Sequence, residues 1–291
     1  MTGKLKQILS ISRRTDVPAF YMPWFMDRVA RGSVEVVNPF NRQVRQVDIT
    51  PRRIHSLVFW SKNFGPFLAE GYGEKLRAMG YHLFFNHTIN SQSAVLEPVV
   101  PDLGQRLDQL RELCQRFGAA AVQWRFDPIC HFRLPGGAIE DNLADFTAIA
   151  AVAGECGIVT CISSFMDHYR KIERRTHRKL VFIEPALGQK VAIVMKMEAI
   201  LSSLDIQLDL CCEKTVLEAL PETAASGPAA CISAETLMAL YGGRLSLRKD
   251  AGQRRSSGCG CTASVDVGTY SRHPCHHNCL FCYANPSCDQ R

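Results

Sequence analysis

A short apolar run that stops abruptly at charged, amide or thiol groups recurs along this chain. The runs are ILSIS (8–12), SLVFW (56–60), YHLFF (81–85), AVQWRF (121–126), VTCIS (159–163), DIQLDL (205–210) and SVDV (264–267). Each has the length of a strand, and most are apolar without alternation, as strands covered on both faces require. Helical patterns lie between several of them. Leu103, Leu107, Leu110, Leu113 and Phe117 recur at helical spacing between Pro101 and Gly118, and Leu143, Phe146, Ile149 and Val152 do so before Gly157. Further helices are predicted over 187–204 and from Ser233. Alternation of this kind excludes all-α and all-β folds and predicts a parallel α/β protein. Seven or eight strands favour a complete or partial (β/α) TIM-type barrel over an open sheet. SVEVVN (33–38) and VRQVDI (44–49) flank the turn-prone NPFNR and predict a hairpin. No repeat or linker interrupts the chain. Residues 1–291 are therefore expected to form one barrel domain, with 250–291 a cysteine-rich tail packed on the barrel mouth.

The residues following each run carry the chemistry. The first run delivers Arg13, Arg14 and Asp16, and the second Ser61, Lys62 and Asn63. The third gives Asn86, His87 and Thr88; the fourth, Arg125 and Asp127 within RFDPI; the fifth, Asp167; and DIQLDL gives Cys211, Cys212 and Glu213. In (β/α) barrels the active site is built from residues at the C-terminal ends of strands. Loops are polar in any case, so one such residue means little, but six strand ends together predict a site. Its catalytic set is read as Arg13, Arg14, Asp16, Lys62, Asn86, Arg125 and Asp127. Four cations at one mouth, partly offset by Asp16 and Asp127, predict an anionic small-molecule or nucleotide substrate, since arginine suits bidentate carboxylate and phosphate contacts.

Of the 291 residues, 46% are hydrophobic and 21% charged, the balance of a globular protein with a sizeable core. The opening MTGKLKQILS lacks an apolar stretch long enough for a signal peptide, and VAIVMKMEAIL (191–201) is broken by Lys196 and Glu198. A cytoplasmic location and no membrane partner are expected. In that compartment thirteen cysteines point to metal or redox chemistry rather than disulfides. The net charge of +6, with the basic segments YRKIERRTHRK (169–179) and RKDAGQRR (248–255), is compatible with nucleic-acid binding.

Near the end stands CHHNCLFCYANP (275–286), with Cys275, Cys279 and Cys282 in a C-x3-C-x2-C pattern. Such spacing lets one loop wrap three thiolates around a cubane and leave its fourth iron open. A zinc site with His273, His276 or His277 as fourth ligand is the alternative. With Phe281 just before the third cysteine, the motif resembles that of the radical S-adenosylmethionine (radical SAM) superfamily, and the continuation CYANP resembles its spore photoproduct lyase branch. That resemblance implies a [4Fe–4S] cluster on Cys275, Cys279 and Cys282, and SAM bound at the open iron. Phe281, Tyr283 and Asn285 would lie beside the cofactor. It also implies an external one-electron donor such as flavodoxin or ferredoxin, and hydrogen abstraction from a substrate. In the superfamily the motif follows the first barrel strand. Here it closes the chain, which resembles a circular permutation with SVDV lying beside ILSIS. From SRRTDVPAFY through FWSKN, RFDPI and CCEK to GCGC and the final cysteines, the chain also resembles an uncharacterised, mainly bacterial family that brings no established reaction.

Cys212, Cys231, Cys259 and Cys261 are expected to hold a second centre, a [4Fe–4S] cluster or zinc, and the family resemblance supports these four over Cys211. Cys114, Cys130, Cys156 and Cys161 read as core thiols, and Cys288 as unliganded. Two rivals stand beside the radical enzyme: a zinc- or cluster-bearing nucleic-acid-binding protein, and a SAM-dependent transferase that releases no radical.

Overall fold

The computed structural model describes residues 5–38, 41 and 43–285. Its main sheet contains β1 (Gln7–Ile11), β2 (Ile54–Ser61), β3 (His82–Thr88), β4 (Val122–Ile129), β5 (Thr160–Phe165), β6 (Gln207–Leu210), β7 (Gly227–Pro228) and β8 (Val265–Asp266). The spatial order is β7-β6-β5-β4-β3-β2-β1-β8, and every neighbouring pair is parallel. Strand order thus follows chain order until the last strand returns to pair with the first, Leu9 opposite Val265 and Ser10 opposite Asp266. SVDV lies beside ILSIS, as the permuted reading expects. A closed barrel is not found: among the described residues no strand pairing joins β7 to β8, and the fold is a mixed α/β one around an eight-stranded parallel sheet.

Both sheet faces are covered, which explains the scarcity of polar alternation in the strands. Leu9, Leu57, Phe59, Phe85 and Trp124 pack outward in the main core. Ile8, Val58, Phe84 and Ile162, one residue out of phase, pack inward against Ala229, Ile232 and Leu237. The inner face is therefore filled by a chain segment as well as by side chains. The helix Ala234–Tyr241 begins at Ser233, whose side chain accepts from the Thr236 N–H. At its far end Tyr241 donates to the Leu83 carbonyl and stacks on His82 at 4.4 Å. The segment before this helix also meets the tail. Gly260 N–H donates to the Ala229 carbonyl at 3.1 Å, and Thr262 N–H to that of Ile232 at 2.9 Å.

The helices foreseen over 103–117, 143–157 and 187–204 appear as Leu103–Phe117, Phe146–Glu155 and Leu187–Ser202. The first is capped by the Asp102 side chain and ends at Gly118, whose φ of 89° suits glycine. The hairpin pairs Ser33–Val37 with Val44–Asp48. Features that escape the sequence pattern include β7, two residues long with a proline, the helices Met22–Arg31, Tyr72–Ala78 and Arg170–Thr176, and a small antiparallel sheet of His131–Arg133, Ile139–Asp141 and Val181–Phe182. Among the described residues no helix is long and apolar enough to cross a membrane.

Candidate functional site

The turn after β1 organises the strand ends. Asp16 caps the helix Val17–Phe20 by accepting from the Ala19 N–H at 3.0 Å. The same carboxylate accepts from Ser61 Oγ at 2.7 Å and from the Lys62 N–H at 2.9 Å, and lies 2.8 Å from His277 Nε2. One buried carboxylate therefore ties β1, β2 and the cysteine loop together, with the Phe20 ring 4.8 Å from that of His277. Arg14 also works as a clamp, donating to the carbonyls of Val37 and Gly268 and pairing with Asp266 at 3.3 Å. Asn86 is fully buried and donates to the Cys231 carbonyl at 3.2 Å. Arg14, Asp16 and Asn86, expected to be catalytic, do not line the cavity described next; Arg14, Asp16 and the Asn86 amide nitrogen hold the loops, while Asn86 Oδ1 is buried without a hydrogen-bond partner.

That cavity, of about 290 Å³, lies at the C-terminal ends of the strands. Arg13, Trp60, Lys62, Arg125, Asp127 and Ser164 line it from the sheet side, and Cys259, Cys261, Phe281, Cys282 and Tyr283 from the tail. Each of the four cations has a carboxylate partner, though Asp250, Asp266 and Glu97 do not line the cavity. Arg13 pairs with Asp250 at 3.7 Å, Arg14 with Asp266, Lys62 with Glu97 at 2.6 Å, and Arg125 with Asp127 at 2.5 Å. Burial is the reason, since a cation taken from water needs a counter-charge. Glu97, which also lies 3.7 Å from Arg106, carries no sequence signal because it follows no strand. Asp127 additionally accepts from the Ser164 hydroxyl.

The cysteine loop is held from several sides. Arg175 donates to the carbonyls of Leu280 and Cys282 at 2.5 and 3.0 Å, and Lys171 to that of Tyr283. Two cations of the basic segment 169–179 thus serve the loop. Asn285, buried, donates to the Cys279 carbonyl at 3.0 Å, so it supports the loop and does not line the cavity. Tyr283 donates to the Arg13 carbonyl at 2.9 Å, and Lys62 Nζ stands 5.3 Å from the centre of the Phe281 ring. Burial pushes the Cys275 thiol up to about 12, with Asp16 adding to it, and raises Cys279 and Cys282 as well. Burial therefore favours the protonated thiols, and a metal bound there would have to displace those protons. Cys282 lines the cavity; Cys275 and Cys279 do not.

Three thiols on one loop, a backbone N–H from Ala284 to Cys282 Sγ at 3.3 Å, and the nearby Lys62 and Arg175 are donors an iron–sulfur cluster uses, but the three side chains are not placed together to hold a metal ion. The histidines weighed as a zinc ligand are engaged elsewhere. His277 meets Asp16, His276 Nε2 lies 3.2 Å from the Tyr21 hydroxyl, and His273 Nδ1 accepts from the Thr269 N–H.

Cys212, Cys231, Cys259 and Cys261 all line the same cavity. Cys211 joins them, with its Sγ 3.8 Å from that of Cys212 and 3.7 Å from that of Cys231. Its adjacency to Cys212 was the available sequence signal. Among the described residues no group of three or more His, Cys, Asp or Glu side chains is placed to hold a metal ion. Cys130 and Cys161 are buried core thiols, Cys114 and Cys156 are half-buried, and Cys288 lies outside the described residues.

Residues 8–284 match the family described as a domain of unknown function, DUF1848. The chain belongs to that family. No curated protein matches it. Among solved structures it is similar to a sugar phosphate isomerase/epimerase from Parabacteroides distasonis, at 7% identity and a TM-score of 0.28. The match covers 72% of this chain and 53% of that one, so the chain spans about half that structure's length.

Proposed function

We propose that this DUF1848 chain is a radical SAM enzyme whose [4Fe–4S] cluster sits on Cys275, Cys279 and Cys282. The observation that carries this reading is the pairing of β8 with β1. It brings the C-x3-C-x2-C loop to the C-terminal end of a parallel sheet, against a cavity ringed by strand-end side chains. When bound, the cluster and SAM supply one-electron cleavage of the sulfonium, releasing methionine and a 5′-deoxyadenosyl radical that takes a hydrogen atom from the substrate. An external electron donor such as flavodoxin or ferredoxin is then required.

The chain's own residues hold the site. Asp16, Asn285, Lys171 and Arg175 fix the loop through its side chains and carbonyls. Trp60, Phe281 and Met166 give the cavity an apolar wall that limits water. Arg125, Asp127 and Ser164 present paired polar groups to a bound molecule. Arg13, Lys62 and Arg125 each pair with a carboxylate, but only Asp127 of those partners lines the cavity, so a small polar or anionic substrate is favoured over a cationic one. The nucleic-acid-binding rival loses support as Lys171 and Arg175 turn to the cysteine loop and Arg254 pairs with Asp167 at 2.5 Å. The test is spectroscopic. SAM added to the reduced, anaerobically purified protein should change the electron paramagnetic resonance signal of the cluster. A spectrum indifferent to SAM, or the same change in the Cys275→Ala/Cys279→Ala/Cys282→Ala variant, would overturn the reading.

A further inference from the structure

We propose that a second cavity, beside Glu213, is a binding site for a small primary amine, which its carboxylate holds as an ammonium ion. Glu213 follows β6 directly after Cys211 and Cys212, and the radical reading gives it no role. The cavity measures about 430 Å³, a size suited to small molecules. Three stretches remote in sequence build it: residues 184–190 at the start of the helix Leu187–Ser202, residues 212–216 after β6, and Ser256 and Ser257 of the tail. Gly258 lets the tail close over it. Its φ is 90°, and a Cβ there would lie 3.4 Å from that of Lys214. Cys212 lines both this cavity and the strand-end one.

Charge decides what the cavity takes. Four charged side chains line it: Glu184, Lys190, Glu213 and Lys214. Lys190 pairs with Glu184, whose other oxygen lies 2.9 Å from His168 Nε2. Lys214 pairs with Glu218 at 3.6 Å. Glu213 is left over, since among the described residues no Lys, Arg or His stands within ion-pair distance of it. One of its oxygens accepts from the Phe165 N–H at 2.8 Å, which fixes the side chain. The other accepts from no group among the described residues and is not enclosed. A half-buried carboxylate has lost part of its hydration, and a ligand cation supplies the missing counter-charge.

The remaining wall suits an ammonium on a short carbon chain. The hydroxyls of Thr215, Ser256 and Ser257 can accept its other protons, and Leu187 and Val216 offer apolar surface to its carbons. A hard metal ion needs several oxygen ligands, whereas Glu184 is already engaged and Glu213 is the one free carboxylate of this wall among the described residues. An anion would meet both carboxylates.

The experiment titrates the full chain with pentylamine at pH 8, followed by ligand-observed nuclear magnetic resonance. Pentanol and pentanoate, of the same length, are the controls. Pentylammonium should bind saturably and more tightly than either. Glu213→Gln keeps an acceptor for the Phe165 N–H and removes the charge. Affinity for pentylammonium should then fall about tenfold, with weak pentanol binding unchanged. Ser257→Lys adds a cation to the wall and should weaken pentylammonium in the same sense, which keeps the test decisive if Glu213→Gln does not fold. Pentanol binding as tightly as pentylammonium, tighter binding of pentanoate, no saturable binding, or affinity unchanged in either folded variant would overturn the proposal. These readings involve neither iron nor SAM, so this site and the radical reading fail separately.

Discussion

Replacing Asp16 by alanine removes the junction on which the strand ends and the cysteine loop depend. Four donors lose their acceptor at once: the N–H groups of Ala19 and Lys62, the Ser61 hydroxyl and the His277 ring. Asp16 is 6% exposed and His277 2%, so water does not readily replace the carboxylate. Loss of the helix cap costs about 1 kcal/mol. Each buried donor left unsatisfied adds about 1 kcal/mol at the lower end of its range. A total of about 3–5 kcal/mol follows, in line with the loss of one partner from a buried charged pair. With an unfolding entropy of about 2.1 cal/mol/K per residue, a chain of this length should melt roughly 5–8 °C lower. Asp16→Asn keeps the cap and one acceptor oxygen, and should lose roughly half as much. Thermal unfolding followed by circular dichroism under reducing, metal-free conditions measures both. A melting point for Asp16→Ala within about 2 °C of wild type would refute the reasoning.

Burial, with smaller contributions from Arg106 and Lys62, lowers the His87 pKa to about 3 from an ordinary 6.5. Below pH 6.5 the unfolded chain takes up a proton that the folded chain refuses. Stability should therefore fall by about 2 kcal/mol between pH 6.5 and 5, and His87→Phe, judged by urea midpoints, should remove that slope. Lys62→Met should destabilise by about 3–5 kcal/mol by leaving Glu97 without its close cation, whereas Lys62→Met with Glu97→Gln should recover most of the loss. A double variant no better than the single one would separate the two residues. Gly260→Ala would bring a Cβ to 2.7 Å from the Ala229 carbonyl oxygen, so the contact of residues 259–261 with the chain before the helix Ala234–Tyr241 should loosen and the melting point fall. A melting point equal to wild type would show that the close approach there is unnecessary.

The strands were legible because burial on both faces leaves an unbroken apolar run, and residues such as Leu57, Phe59, Phe85 and Trp124 have no polar alternative at those positions. The return of SVDV to β1 was legible through the motif that follows it. Two-residue β7 was not, since Gly227 and Pro228 are strand residues only through their neighbour β6. In the site, the cations were visible at the strand ends but their partners were not. Asp250 and Glu97 come from loops remote in sequence, and such ion pairs are set by tertiary packing. Asp16 and Arg14 had the chemistry of a catalytic group and the position of a clamp, a difference residue type alone does not encode. Cys211 was visible as a thiol, but its place beside Cys212 and Cys231 depends on the turn at Cys212.

The proposed activity depends on radical cleavage of SAM at the loop Cys275–Cys282. The most direct measurement is product analysis after anaerobic incubation of the reconstituted, reduced protein with SAM. Wild type should release 5′-deoxyadenosine and methionine, while the Cys275→Ala/Cys279→Ala/Cys282→Ala variant should release neither. S-adenosylhomocysteine in place of 5′-deoxyadenosine, or no cleavage by wild-type protein loaded with iron and sulfide, would contradict the claim.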